Sequence, residues 1–409
     1  MKSWKKVALG GASVLALATL AACGSSASSN KSSSSSSSDS IKGTIRVYVD
    51  TQQKATYTDV AKGLTSKYPD LKVQIIANAS GSANAKTDIA KDPSKYADVF
   101  AVPNDQLGDM ADKGFISPVA TKFADEIKND NSKITVAGVT YKDKVYAFPK
   151  STEAQVLFYN KSKLSADDVK SWDTMTSKAV FATDFTNAYN FYPVFFSAGT
   201  QLFGASGEDV TGTNVASDKG VTAMKWFADQ KANKNVMQTS NALNQLQSGK
   251  ADAIIDGPWD TANIKKILGD NFAVAPYPTI TLNGEQKQLE AFQGIKGFAV
   301  NSATKDQAAS QTVAQYLTTK AAQLKLFNSQ GDVPTNLDAQ KDDAVKSSDA
   351  TKAVITMAKE GNSVVMPKLP QMATFWNNAA PLINGAYTGS IKATDYQAQL
   401  QKFQDSISK

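Results

Sequence analysis

Apolar and polar residues alternate over 44–49, with β-branched residues supplying the apolar half, which is the period of a half-buried strand. A polar turn, Asp50-Thr51-Gln52-Gln53, leads into an amphipathic helix that ends at Tyr68-Pro69-Asp70. Residues 71–76 and 96–102 read as further strands, and Asn104-Asp105 stands where it can cap a helix stopping at Gly114. Strand, helix and strand joined by short connections predict an α/β layer around a largely parallel sheet.

Farther on, residues 139–148 read as a hairpin turning at Lys142-Asp143, and 155–159 as a strand. The pattern over 166–267 is mostly helical, with one short buried strand at 251–256. Residues 297–301 form a strand before a helix over 306–328, and beyond Gly331-Asp332-Val333-Pro334 the chain reads as helix to its end. Strand-rich stretches before about residue 150 and near 300, split by a helical block, predict two lobes with more than one crossing.

One run is of a different kind. Residues 7–22 are apolar and follow Lys2, Lys5 and Lys6, the layout of a secretory signal. The run is too short for a membrane span, which needs about 20 apolar residues. It closes on Leu20-Ala21-Ala22-Cys23, and Cys23 is the only cysteine of the chain. This ending resembles the lipobox of bacterial lipoproteins, which implies a diacylated Cys23 at the mature N-terminus. Residues 25–40 are serine except for Ala27, Asn30, Lys31 and Asp39, so they have nothing to bury and read as a solvated linker. The expected organisation is a signal over 1–22 and a lipidated linker over 23–42. A folded body follows, with 43–151 and 291–336 in one lobe and 152–290 and 337–409 in the other. A tether of this kind suits the extracellular face of a Gram-positive-type cell membrane, reached through the lipid alone.

Composition narrows the chemistry. Without the signal, 41 Lys and Arg face 38 acids, so the net charge falls from +6 to +3. No basic block grips a phosphate backbone, which argues against nucleic acid. The chain has no histidine, which excludes histidine triads and imidazole proton shuttles. With Cys23 lipidated, no thiolate remains for a metal, and neither a metal nor a cofactor is expected. Arg46 is the only arginine, so no bidentate arginine clamp holds an anion. These absences favour binding over catalysis.

In open α/β sheets ligands bind beyond the carboxyl ends of strands. Asp50 and Gln52 follow the first strand, Asp105 follows residues 96–102, and Trp259 follows 251–256 through Gly257-Pro258. Glu153 lies on an expected lobe crossing. Trp172 and Trp226 sit in apolar patterns and read as core. Trp376 is free to turn to a cleft if Phe375, Ala379 and Leu382 fill the core stripe. Tyr189 and Tyr192 stand in an aromatic loop where burial and display are equally open. Flat rings with uncharged or acidic partners suit a pyranose, which has an apolar face and an edge of hydroxyls.

Four segments carry a resemblance. They are Ala97-Asp98-Val99-Phe100 through Asp105 to Gly114; Tyr146-Ala147-Phe148-Pro149 through Glu153 to Tyr159-Asn160-Lys161; Gly249-Lys250-Ala251-Asp252 through Asp256-Gly257-Pro258-Trp259; and Leu369-Pro370-Gln371-Met372 through Phe375-Trp376. In this order the chain resembles the maltose/maltodextrin-binding proteins, the receptors of carbohydrate ABC importers. The resemblance implies a monomeric, non-enzymatic, two-lobe Venus-flytrap fold with a multi-strand hinge, closing on a maltodextrin-type oligosaccharide and docking on permease subunits. It implies that Asp105 and Glu153 bind hydroxyls and that Tyr189, Trp259 and Trp376 stack on glucose units. Three positions depart from the family pattern: Val102, Gln106 and Asn377 replace an aromatic, an arginine and an aromatic. A receptor for another oligosaccharide and a hydrolase using Glu153 and Asp105 are the rival readings; the hydrolase needs its carboxylates about 5–5.5 or 6.5–9.5 Å apart.

Overall fold

The computed structural model describes residues 41–409; Cys23, the signal and most of the serine-rich linker lie outside the described residues. Gly43–Asp50 pairs in parallel with Leu71–Asn78 on one side and with Val99–Pro103 on the other. Between the first two runs the helix Lys54–Lys67, burying Tyr57, Val60, Ala61 and Leu64, makes the crossover. The sheet continues through Ala291–Asn301, antiparallel to Val99–Pro103, to Ser363–Val365. Phe148–Glu153 and Ile116–Ser117 also pair with Ala291–Asn301.

A second sheet takes the order Val236–Gln238, Phe181–Thr183, Ala253–Asp256, Val156–Asn160, Phe272–Ala275. The strand expected at 251–256 is present as Ala253–Asp256, but the otherwise helical reading of 166–267 is corrected, because that block supplies two further strands of the five. These two, Phe181–Thr183 and Val236–Gln238, are only three residues long, too short to show a period of two. The helix expected over 306–328 is two helices, Gln307–Tyr316 and Lys320–Gln330. Thr319 breaks it by adopting extended backbone and accepting from the Ala322 N–H as a new N-cap. The hairpin at Lys142-Asp143 is present, with both residues at positive φ as a two-residue turn demands.

Two hydrophobic cores result. One holds Ile45, Val47, Phe100, Phe148 and Phe298, and the other Phe158, Trp172, Phe181, Tyr192, Trp226 and Phe375. Among the described residues the chain runs from one core to the other at three places. Phe148 and Val156 lie in different cores, as do Phe292 and Phe298, and as do Leu326 and Val333. The first two crossings are the paired strands Phe148–Glu153 and Ala291–Asn301, and the third joins them through the Thr152–Val333 bridge. This is a two-lobe α/β molecule with a multi-strand hinge.

Trp172 is fully buried, and its indole N–H donates to Gln230 Oε1 at 2.8 Å. Trp172→Ala should cost about 3–5 kcal/mol, the range for emptying a buried aromatic site. Urea unfolding followed by circular dichroism checks this.

Candidate functional site

A cavity of about 490 Å³ is walled by Asp105, Glu153, Asp184, Tyr189, Met366 and Trp376, among others. A larger one of about 860 Å³ has no aromatic residue in its wall and offers no ring to a ligand. The smaller cavity joins carboxylates at strand ends to aromatic faces, so it is the candidate site.

Asp105 sits in the tight turn after Val99–Pro103. Its neighbour Asn104 does not cap the following helix. The Asn104 carboxamide instead accepts from the Ile295 N–H at 3.0 Å and donates to the Met366 carbonyl at 3.2 Å, tying the turn to the hinge. Burial pushes the Asp105 carboxyl up to about 6; Lys86 and the backbone amide of Asp105 oppose this, and the Glu153 charge adds to it.

Glu153 ends the crossing strand Phe148–Glu153. Gly294 pairs directly with it, and a Cβ there would lie 2.9 Å from Glu153 Cγ, so only glycine leaves the carboxylate its room. Lys296, two residues beyond Gly294 on the same strand, reaches back to Glu153 Oε2 at 3.0 Å. Sequence reasoning did not single out this ammonium, which pairs with a carboxylate of the cavity wall. Its readable signal was a lysine within the apolar run Ala291-Phe292-Gln293-Gly294-Ile295-Lys296-Gly297-Phe298, where an unpaired charge is costly.

Tyr189 stacks on Phe292, with centroids 6.0 Å apart and planes 4° apart, and meets Trp376 edge-on at 6.3 Å. The Tyr189 hydroxyl is buried without a hydrogen-bond partner. Burial raises its pKa, as do the charges of Glu153 and Asp105. Leaving such a hydroxyl unmet costs about 1–3 kcal/mol, which a polar ligand can recover. Trp376, half-buried in the helix Met372–Thr388, packs on Phe375 at 4.7 Å and shows the cavity its other side.

The remaining candidates fall elsewhere. Tyr192 is corrected: it is fully buried, 4.6 Å from Phe375 and 4.9 Å from Phe195, and is core rather than a display ring. Asp50 does not border the cavity; its two oxygens accept from the Ser82 N–H at 2.7 Å and hydroxyl at 2.9 Å. Gln52 is exposed, and only its carbonyl is engaged, by Gln330. Trp259 is 49% exposed, and its ring lies against Gly257. It is joined to the site through Lys296, whose ammonium is 5.8 Å from the ring centroid. Gln106, at the arginine position, spends its side chain on the Lys86 N–H and the Ala83 carbonyl. Sequence reasoning missed Asp184, Thr186 and Asn187, whose polar turn carries no pattern beyond that of a loop. Among the described residues no cluster suits a metal ion, and no helix is long and apolar enough to cross a membrane.

The profile of the bacterial extracellular solute-binding protein family matches residues 59–354. A maltooligosaccharide ABC transporter solute-binding lipoprotein of Streptococcus pneumoniae is 30% identical over 95% of this chain and 93% of its own. The structure of maltodextrin binding protein MalE1 from L. casei, without ligand, is 57% identical with a TM-score of 0.89, covering 90% of this chain and 100% of that one. MalX from Streptococcus pneumoniae in complex with maltopentaose is 25% identical with a TM-score of 0.74, covering 88% and 99%.

Two outcomes follow from the geometry. A carboxyl raised in the folded state binds its proton more tightly there than in the unfolded chain, so its contribution to stability is lost as pH rises from about 4 to about 6. Asp105→Asn should therefore stabilise the protein at neutral pH by about 1–3 kcal/mol, and thermal melts across pH check this. At Gly257 a Cβ would stand 2.1 Å from Trp259 Cζ2. Gly257→Ala should displace the ring and shift tryptophan emission, while the melting temperature moves by only a few degrees.

Proposed function

The chain belongs to the bacterial extracellular solute-binding protein family, and we propose that it is the maltodextrin receptor of a carbohydrate ABC importer. One observation carries the reading: Asp105 and Glu153, at two strand ends, share a cavity with the rings of Tyr189 and Trp376. A glucose unit packs its C–H face on a ring and donates its hydroxyls to carboxylates, so this wall has both halves of pyranose recognition. The unmet Tyr189 hydroxyl is a further partner. Trp259 extends the platform beyond the cavity wall. The protein is a binding protein and not an enzyme, and Glu153 serves as an acceptor held by Lys296 rather than as a nucleophile.

We assign 43–151 and 291–336 to one lobe and 152–290 and 337–409 to the other, a division the two cores support away from the crossings, where Phe292 and Val333 pack with the second core. The lobes close on the sugar because contacts from both exist together only in the closed form, and the closed form docks on the permease as a monomer. The lipoprotein name of the relatives supports a membrane-anchored extracellular protein. We place the anchor on Cys23, at a Gram-positive-type cell surface, where the serine linker keeps the receptor near its permease.

Titration calorimetry with maltose, maltotriose, a cyclodextrin and lactose tests the reading. Maltotriose should bind and lactose should not; the reverse order points to another oligosaccharide, and new reducing ends in the mixture contradict a receptor. Trp376→Ala and Glu153→Ala should each weaken maltotriose about tenfold or more, the loss of one stacked ring or one charged acceptor. Both variants staying within about twofold would remove these residues from the site.

A further inference from the structure

Lys296 is built into the hinge with unusual care. In the pairing of Phe148–Glu153 with Ala291–Asn301, Gly294 faces Glu153 and Lys296 faces Ser151; then the register shifts, and Gly297 faces Pro149. Lys150 is the extra residue of this bulge. Its side chain points into the first lobe, fully buried, donating to Gln53 Oε1 at 2.9 Å with Asp332 at 3.8 Å and the Tyr57 and Phe298 rings about it. Alternation along the paired strands parts the two hinge lysines, with Lys296 on the face that carries Glu153, and the bulge comes only after that pair.

On that face the pair is diagonal across the strands, a position from which opposite charges attract. Gly294 makes it possible, because any side chain directly opposite Glu153 would occupy the space the carboxylate needs. The Lys296 side chain is less than one-third exposed, and its ammonium lies 3.0 Å from Glu153 and over the face of Trp259, 5.8 Å from the centroid. An ammonium has three donors, and Glu153 takes one. Burial lowers the pKa of Lys296, but the charge and hydrogen bond of Glu153, with Asp332 and Asp50 behind, raise it more, so the cation is kept at neutral pH.

Resting on the receptor reading, we propose that Lys296 is a specificity-determining residue of the cleft: its ammonium donates to a hydroxyl or ring oxygen of the sugar at Trp259 and makes that subsite reject cationic sugars. Without Lys296 the floor would present Glu153 beside Asp105 and Asp184, a carboxylate cluster that attracts cations as readily as hydroxyls. With it, Glu153 remains an ionised acceptor whose charge is already met. A cationic sugar then meets an ammonium at short range in a partly desolvated site, where like charges repel strongly. A neutral glucan meets a donor and an acceptor side by side, a match for vicinal hydroxyls.

The test is calorimetry on the mature protein with maltotriose and with maltotrioses whose 6-hydroxyl is replaced by an amine on each ring in turn, at a pH where the amine is charged. Wild type should bind at least one amine analogue about tenfold or more weakly than maltotriose. Lys296→Met should weaken maltotriose several-fold and narrow that discrimination by about tenfold, and Lys296→Arg should keep the discrimination. Wild type binding every amine analogue as tightly as maltotriose overturns the proposal, whatever the variants do. So does Lys296→Met with weakened maltotriose binding but unchanged discrimination, since that marks a structural role alone. Failure of wild type to bind maltotriose at all would instead contradict the receptor reading.

Discussion

The antiparallel pairing of Phe148–Glu153 with Ala291–Asn301 is the contact on which the molecule turns. Each strand runs from one core toward the other, so the strands themselves join the lobes and the backbone bonds between them hold the two connections together. Their side chains must satisfy three demands over a few residues: apolar anchors at both ends, no unmet polar group within, and a polar floor between. Phe148, Phe292 and Phe298 meet the first. The second is met by Gln293, fully buried, whose amide reaches Thr152 and the Glu153 carbonyl, and by Lys150 with Gln53 and Asp332. Glu153 and Lys296 supply the third.

The wall of the cleft follows from that floor. Phe292 leaves the hinge strand to stack under Tyr189, and Trp376 closes against both. The display rings are therefore backed by core rings, which fixes their planes before a ligand arrives and lowers the ordering cost of binding. Asn104 does the same for the acidic side by clamping the Asp105 turn to Ile295 and Met366. Rigid elements hold both kinds of contact proposed for the sugar, and the hinge is left to supply the motion.

Much of this was legible in the sequence because it rests on local signals. The first strands and their crossover helix show in alternation and in turn residues, and Asp105, Glu153 and Trp376 stand at strand ends or in a specific motif. Other features depend on distant chain. The aromatic loop does not say which of Tyr189 and Tyr192 faces out; that is decided by Phe375 and Phe403, which enclose Tyr192 from the far end of the chain. Three-residue strands of the second sheet exist only because neighbours pair with them. The Glu153–Lys296 pair joins residues from two crossings, and its geometry depends on a strand register and on Gly294, which no local pattern announces. Asp50 and Gln52 occupy the right end of the right strand, yet their side chains serve a turn and the surface.

The most direct measurement is a crystal structure of the mature protein with maltotriose. The account predicts sugar rings stacked on Tyr189 and Trp376, with hydroxyls within hydrogen-bond distance of Asp105 and Glu153. It also predicts lobes drawn together about the paired hinge strands. Maltotriose bound elsewhere, or held in this cavity without contact to either ring, would contradict it.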